Sequence, residues 1–201
     1  MNEAKIRLSS KEMDLVTNAD WILTKNAILQ KTKGLLEELL QKQQIITSSI
    51  GSGLPSEVIA ISPKISRGEN YRGLPYLVLD YPRYFDKENV FAIRTMFWWG
   101  NFFSSTLHLS GHFKQKEEHR IIAAYSSLAD SFICTGENEW EHHFEKENYL
   151  PIGVMEKENF SELVLQKDFI KLAYRVPLQQ WDNALPLLED HFNSWLKLLA
   201  D

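Results

Sequence analysis

The sequence predicts an α+β fold, in which a mainly antiparallel sheet with hairpins is packed by N-terminal and C-terminal helices. Helical periodicity occupies the chain before residue 50 and again near its end, and aromatic and β-branched segments lie between residues 74 and 110. Because helices and strands do not alternate regularly, a parallel sheet of βαβ units is not expected. With 201 residues, of which 44% are hydrophobic, the chain can bury one core, and we expect a single domain over residues 1–201.

An N-terminal helical segment is expected over about residues 1–50. Apolar residues recur there in neighbouring pairs that share one face of a helix: Trp21/Ile22, Ile28/Leu29, Leu35/Leu36 and Leu39/Leu40. The polar stretch at residues 18–20 predicts a break that divides the segment into two helices. Glycine and proline in residues 48–55 indicate a joint, after which the α+β body occupies residues 56–201.

The body is expected to begin with a loop at residues 63–73 and to continue as alternating hairpins and helices. Strands are predicted at residues 74–81, 90–99, 102–110 and 169–176, with a second hairpin at 131–144. Helices are predicted at residues 114–128, 159–166 and 181–199. The last of these has apolar residues spaced three and four apart, which is typical of a helix closing on a core.

The aromatic-rich hairpin, residues 91–113, carries the main functional hypothesis. If Gly100-Asn101 forms a two-residue turn, Trp99 lies opposite Phe102, and Ile93 lies opposite His108. This register puts Arg94 and His108 on opposite faces of the sheet. A slip of one residue would move every side chain of one strand to the other face, so the assignment depends on the turn.

Arg94 is a charged residue within an apolar strand, and its burial requires a partner. Asp80, on the neighbouring predicted strand, is the expected carboxylate in a structural ion pair. The functional alternative is an anion clamp at the end of a pocket, with Trp98 as one wall. A second candidate for an anion site is the loop before residue 74, which contains Arg67, Tyr71 and Arg72; the alternative there is a solvated connector whose arginines pair with surface acids.

Composition excludes several classes of protein. The formal net charge of −5 disfavours nucleic-acid binding, and no apolar stretch is long enough to span a membrane. We expect no metal, since His108 and His112 are not spaced for ligation on a helix, and no cofactor, since the phosphate-binding glycine motifs are absent. The single cysteine, Cys134, lies in an apolar run and is expected to be buried, in a reduced, cytoplasmic protein.

Three functional hypotheses follow for the aromatic-rich hairpin. The first is a non-enzymatic protein that binds a small molecule or a protein partner through residues 91–113, with Trp99 as an anchor in a homo-oligomer. The alternative is an enzyme acting on a small anionic substrate, which Arg94, Arg67 or Arg72 would hold. There His108 would transfer protons, and Asp80 would orient or compensate a cation. In the third, all the aromatic rings face the core and the hairpin carries no site.

Overall fold

The computed structural model describes residues 6–50 and 53–200, and its antiparallel sheet with flanking helices confirms the α+β class. The helices are α1 (Ser10–Thr17), α2 (Ala19–Ile50), α3 (Ser56–Ile59), α4 (Gly111–Ala123), α5 (Lys157–Gln166) and α6 (Ala184–Ala200). The strands are β1 (Lys64–Tyr71), β2 (Leu74–Phe85), β3 (Val90–Trp98), β4 (Phe102–Ser110), β5 (Phe132–Cys134), β6 (Tyr149–Pro151) and β7 (Phe169–Pro177). Short 3-10 helices occur at Tyr125–Leu128, Ile152–Val154 and Leu178–Asn183.

The sheet has seven strands in the order β1-β2-β3-β4-β7-β5-β6, and every recorded pairing is antiparallel. Helices α2, α4 and α6 cover one face, which we call the helix face. The core lies there, between strand residues such as Leu79 and Phe103 and the buried seam of α6. That seam contains Leu188, Phe192 and Trp195, each with no exposed surface, as the spacing of apolar residues predicts.

The predicted break in the N-terminal segment is confirmed at Asn18, where α1 ends and α2 follows. Ser9 caps α1 through a capping box with Glu12. The predicted joint at residues 48–55 lies partly outside the described residues, because 51 and 52 are not described. Within the described part, α2 continues through Ile50 and α3 begins at Ser56.

Two predicted connections are wrong. Residues 64–71 are not a loop but the edge strand β1, whose backbone pairs with β2. The predicted second hairpin is also absent: β5 pairs with β6, and residues 135–148 form an irregular segment that we call the covering loop. Its alternating acidic and aromatic residues follow the pattern of a strand. Its backbone, however, forms hydrogen bonds with side chains of the sheet instead of with a neighbouring strand.

The hairpin of β3 and β4 exists, but its predicted register is wrong by one residue. Trp98 lies opposite Phe102, so three residues, Trp99 to Asn101, make the connection. The Asn101 N–H donates to the Trp98 carbonyl at 3.1 Å, and Gly100 takes a positive φ of 73°. Every side chain of β4 therefore faces the opposite way, and Arg94 and His108 share one face of the sheet.

Most rings of the hairpin are buried. Trp98, Phe102 and Phe103 are 7%, 6% and 0% exposed. Trp99 is partly buried on the helix face, where its ring meets that of Trp21 edge to face, with centroids 6.4 Å apart. The hairpin therefore contributes mainly to the cores on the two sides of the sheet.

His191 provides a test of the packing on the helix face. Its ring stacks on Tyr174 with centroids 4.2 Å apart, and its buried Nδ1 has no hydrogen-bond partner in the described part of the chain. Burial lowers the pKa of His191 to about 4. Replacing it with phenylalanine keeps the stacked ring and removes the unpaired nitrogen, so we expect His191→Phe to raise the free energy of unfolding by about 1 kcal/mol.

The gain from His191→Phe should grow in acid. Between pH 6.5 and 4, His191 binds a proton in the unfolded chain but stays neutral in the folded chain. The wild type therefore loses stability as the pH falls through this range. Urea denaturation at several pH values measures the difference, with the exposed His119→Gln as a control expected to change little. Equal acid sensitivity of wild type and His191→Phe would contradict the assignment.

Candidate functional site

The sheet face opposite the helices is covered by the covering loop, and the backbone of this loop is bound by side chains. The Lys171 ammonium donates to the carbonyl oxygens of Glu139 at 2.8 Å and Glu141 at 2.6 Å. The Tyr71 hydroxyl accepts from the backbone N–H groups of His142 and His143 at 2.7 and 3.1 Å. These contacts supply partners that a strand ladder would otherwise supply, and they fix the loop on the sheet.

Lys171 is the most deeply buried charged group on this face, with no exposed surface. Burial lowers the pKa of its amine to about 8, since the charged form is desolvated. At pH 7 the amine keeps its proton and donates to the two loop carbonyls. Lys171 therefore places a positive charge beneath the covering loop.

Arg94 and Asp80 are direct cross-strand partners on β3 and β2. The guanidinium binds the carboxylate through two hydrogen bonds, Nε to Oδ1 at 2.7 Å and Nη2 to Oδ2 at 3.0 Å. The predicted ion pair is thus present, with the two-pronged geometry that orients an arginine most firmly.

The same guanidinium contacts the covering loop. Its Nη1 lies 3.1 Å from Nε2 of His142. Because a guanidinium only donates, Nε2 of His142 accepts this hydrogen bond. Burial, with the charges of Lys171 and Arg94 close by, keeps the pKa of His142 well below its usual value, and the imidazole is neutral.

A cavity of about 190 Å³ lies between this group, the edge of the sheet and the covering loop. It is lined by Ser66, Tyr71, Tyr76, Val78, Arg94, Met96, Trp140 and His142. Arg94 is the only charged residue in this lining. Of its five N–H bonds, three are used by Asp80 and His142, and the other two have no partner among the described residues. The cavity is therefore a polar site with spare donors on one wall.

His108 lies on the same face but outside the cavity. It is 3% exposed, and its Nε2 is 2.9 Å from the Glu139 carboxylate. Burial lowers the pKa of His108 to about 4, so the imidazole is neutral and its Nε2–H donates to Glu139. The hydrogen bond also lowers the pKa of Glu139. His108 thus holds the covering loop and is turned away from the cavity.

The structure brings several predicted site residues together on this face. Tyr71, Asp80 and Arg94 surround the cavity or orient its wall, and Trp98 packs behind it. The Trp98 indole N–H donates to the Tyr71 carbonyl at 3.2 Å, with the two ring centroids 5.1 Å apart. Trp98 therefore supports Tyr71 and does not line the cavity.

Three predicted binding residues lie elsewhere. Arg67 is exposed and bound to Glu69, and its register partner on β2 is Leu77, which packs in the core on the helix face. Arg72 lies in the exposed turn after β1, with a positive φ of 50°. Trp99 packs on the helix face. The predicted anion-binding lobe at residues 64–73 is therefore divided, and of its three candidates only Tyr71 reaches the cavity.

Sequence reasoning missed five residues of this region: Ser66, Tyr76, Trp140, His142 and Lys171. One signal was available, because Lys171 is a cation within a largely apolar strand, which is the pattern that drew attention to Arg94. The others depend on β1 being a strand and on the covering loop folding back over the sheet. Neither follows from local sequence.

The described residues contain no group of three or more His, Cys, Asp or Glu arranged to hold a metal ion. Cys134 is buried, and burial raises the pKa of its thiol, so it is not an activated thiolate at neutral pH. Across the described ranges, none of the helices combines the length and apolar character needed to cross a bilayer.

Comparison with known proteins adds nothing to this description, because no family model, no curated protein and no solved structure matches the chain. The function is therefore argued from the geometry of the cavity and its surroundings.

Proposed function

We propose that this protein binds a small anionic molecule in the cavity between Arg94, His142 and Trp140. One observation carries the proposal: Asp80 orients the Arg94 guanidinium, and two guanidinium N–H bonds without a described partner remain on the only charged wall of the cavity. A carboxylate or phosphate oxygen accepts from a charged donor such as this guanidinium more strongly than a neutral group does.

The local charges are compatible with an anion. Asp80 offsets the charge of Arg94, but the buried Lys171 adds a second positive charge nearby. Two carboxylates of the covering loop have other partners, since Glu139 binds His108 and Glu141 accepts from the Tyr71 hydroxyl at 2.8 Å. An anion next to Arg94 therefore meets a positive guanidinium edge and neutral rings.

The size of the cavity limits the ligand. At about 190 Å³ it holds the volume of roughly six water molecules, at ~30 Å³ for each in the liquid. Sites for drug-sized ligands are larger, on the order of 300–1,000 Å³. We therefore propose a compact carboxylate or phosphate. Part of this site comes from the aromatic-rich hairpin, which contributes Arg94 and Met96.

We favour binding over catalysis because the predicted catalytic groups are already engaged. Asp80 is bound to Arg94, and His108 donates to Glu139. The one imidazole in the lining, that of His142, accepts a hydrogen bond from Arg94 at Nε2. The lone pair of this nitrogen is therefore not free to take a proton from a substrate. An enzyme acting on a small anionic substrate stays a prediction. So do a cytoplasmic location and the absence of nucleic-acid binding, which rest on the composition.

Calorimetric titration of the purified protein with acetate, lactate and inorganic phosphate tests the proposal, after native mass spectrometry has checked for a retained molecule. We expect one of these anions to bind at a single site. Arg94→Lys keeps a cation beside Asp80 but loses the planar donor pair, and Ser66→Leu fills the cavity from the edge strand. Each should weaken binding about tenfold or more, which corresponds to about 1.4 kcal/mol.

Arg67→Ala is the matched control, because Arg67 follows Ser66 on β1 but is exposed and paired with Glu69. It should bind the anion as the wild type does. The proposal fails if none of the three anions binds. It also fails if Arg94→Lys and Ser66→Leu, shown to be folded by circular dichroism, bind with unchanged affinity.

A further inference from the structure

Exposed apolar side chains are concentrated at the N-terminal end of the described chain, away from the cavity. Of the thirteen large hydrophobic residues that are exposed in the described residues, eight lie between residues 6 and 23. They are Ile6 (77% exposed), Leu8 (51%), Met13 (49%), Leu15 (46%), Val16 (67%), Trp21 (47%), Ile22 (46%) and Leu23 (61%). We call this set the N-terminal apolar surface. Such clustering marks an interaction site more often than an ordinary solvent face.

The helix that carries part of this surface needs a partner. Helix α1 has eight residues, and none of them is buried. Isolated helices shorter than about 12–15 residues are marginal in water, because nucleation is costly. The Ser9 capping box adds only a small stabilisation. A helix of this length therefore requires its apolar side chains, such as Met13 and Val16, to pack against something.

Charge favours a second copy of this chain as that partner. Residues 6–23, which carry this surface, contain two basic residues, Arg7 and Lys11, and three acidic residues, Glu12, Asp14 and Asp20, so their formal charge is −1. The whole chain has a net charge of −5. A nucleic acid or an anionic membrane would require a basic surface here. Two copies of a nearly neutral surface meet with little of the repulsion that the rest of an acidic protein would create.

The apolar area is close to what self-association requires. Burying a whole Leu, Ile or Met side chain removes on the order of 60–120 Å² of apolar surface. Eight such residues, each about half exposed, therefore offer roughly 250–500 Å² per copy. A standard interface buries about 800 Å² per partner, of which somewhat more than half is apolar. The surface thus approaches the apolar content of a stable dimer.

We infer that residues 6–23 form a two-fold symmetric interface between two copies of this chain. Each copy presents the same surface, as an isologous contact requires. Trp99 lies at the edge of this interface through its contact with Trp21, so the hairpin tip contributes to it. The covering loop lies on the other face of the sheet, so dimer formation leaves the cavity open and does not depend on the proposed ligand.

Light scattering after size exclusion, over a range of protein concentrations, tests the inference. The wild type should have about twice the 23.4 kDa chain mass and should dissociate on dilution. Val16→Lys and Leu23→Lys replace exposed residues, so the monomer fold should be retained. Because two-fold symmetry counts each substitution twice, each should raise the dissociation constant about tenfold or more.

Ile45→Lys is the matched control, since Ile45 is 70% exposed on α2 but lies outside the N-terminal apolar surface. It should leave the dimer intact. A wild type that is monomeric at every concentration would overturn the inference. It would do so even if that monomer bound neutral or anionic lipid vesicles through the same residues. Equal dimer affinities for Val16→Lys and wild type would overturn it as well.

Discussion

Replacing Asp80 with alanine is expected to lower the free energy of unfolding by about 3–5 kcal/mol, the usual cost of leaving a buried charge without its partner. Asp80 is 5% exposed, and its carboxylate receives both hydrogen bonds from the Arg94 side chain. Urea denaturation followed by circular dichroism measures the loss. Arg94→Met, which leaves the carboxylate unpaired instead, should cost a similar amount.

The double variant Asp80→Ala/Arg94→Met should be clearly more stable than the sum of the two single effects predicts, because it leaves no buried charge unpaired. The exposed pair of Arg67 and Glu69 is the control, and its removal should have a much smaller effect, because both side chains are screened by solvent. Additive losses for Asp80 and Arg94 would show that the two do not interact as described.

Replacing Lys171 with methionine is the second large change, with an expected loss of about 2–3 kcal/mol at pH 7. Methionine fills the space, but the carbonyl groups of Glu139 and Glu141 lose their donor beneath the covering loop. Methionine also removes the desolvated ammonium charge of Lys171, and this gain offsets part of the cost. Amide hydrogen exchange should locate the loss of protection in residues 135–148, and Lys167→Met, which removes a partly exposed donor to Thr135 and Gly136, should have a smaller effect.

The pH dependence distinguishes the charge of Lys171 from its packing. The folded pKa of about 8 lies below the unfolded value of 10.5, so between these values the unfolded chain binds more protons than the folded chain. The contribution of this group to stability therefore rises as the pH increases from 8 to 10.5. The stability difference between wild type and Lys171→Met should widen over this range. A constant difference would mean that Lys171 does not titrate with a lowered pKa.

The elements with strong local patterns could be predicted from the sequence. The seam of α6, with Leu188, Phe192 and Trp195, follows from apolar spacing, and the β3–β4 hairpin follows from β-branched and aromatic residues around Gly100. These patterns work because one face of each element is buried, and burial imposes the period of the element on its sequence.

The register of the hairpin could not be predicted, because two-residue and three-residue turns are both compatible with Gly100 and Asn101. The sheet around it decides between them: the observed register brings Phe103 and Leu107 onto the helix face and pairs Trp98 with Phe102. The difference of one residue reverses the relation of Arg94 to His108. The candidate site therefore depended on tertiary packing, although Arg94 and Asp80 themselves were visible as charges in apolar strands.

The covering loop could not be predicted for a different reason. Its partners are separated from it by long stretches of chain, as with Tyr71 and the backbone of His142. The sequence of the loop does not indicate such contacts. They are made to backbone N–H and carbonyl groups, which every residue of the loop has whatever its side chain. The alternation of glutamate and aromatic residues at 139–144 instead indicated a strand.

Anchoring a segment by its main chain has a consequence for how the protein can diversify. Lys171 and Tyr71 hold carbonyl and amide groups, so this part of the attachment does not depend on which side chains the covering loop carries. A loop side chain that makes no hydrogen bond within the described residues can therefore change without breaking it. Trp140, which forms part of the cavity wall, is such a position, at 46% exposure. Substitutions there can reshape what the cavity accepts at little expense to the β-sheet beneath, an arrangement that lends itself to changing ligand preference by evolution or by design.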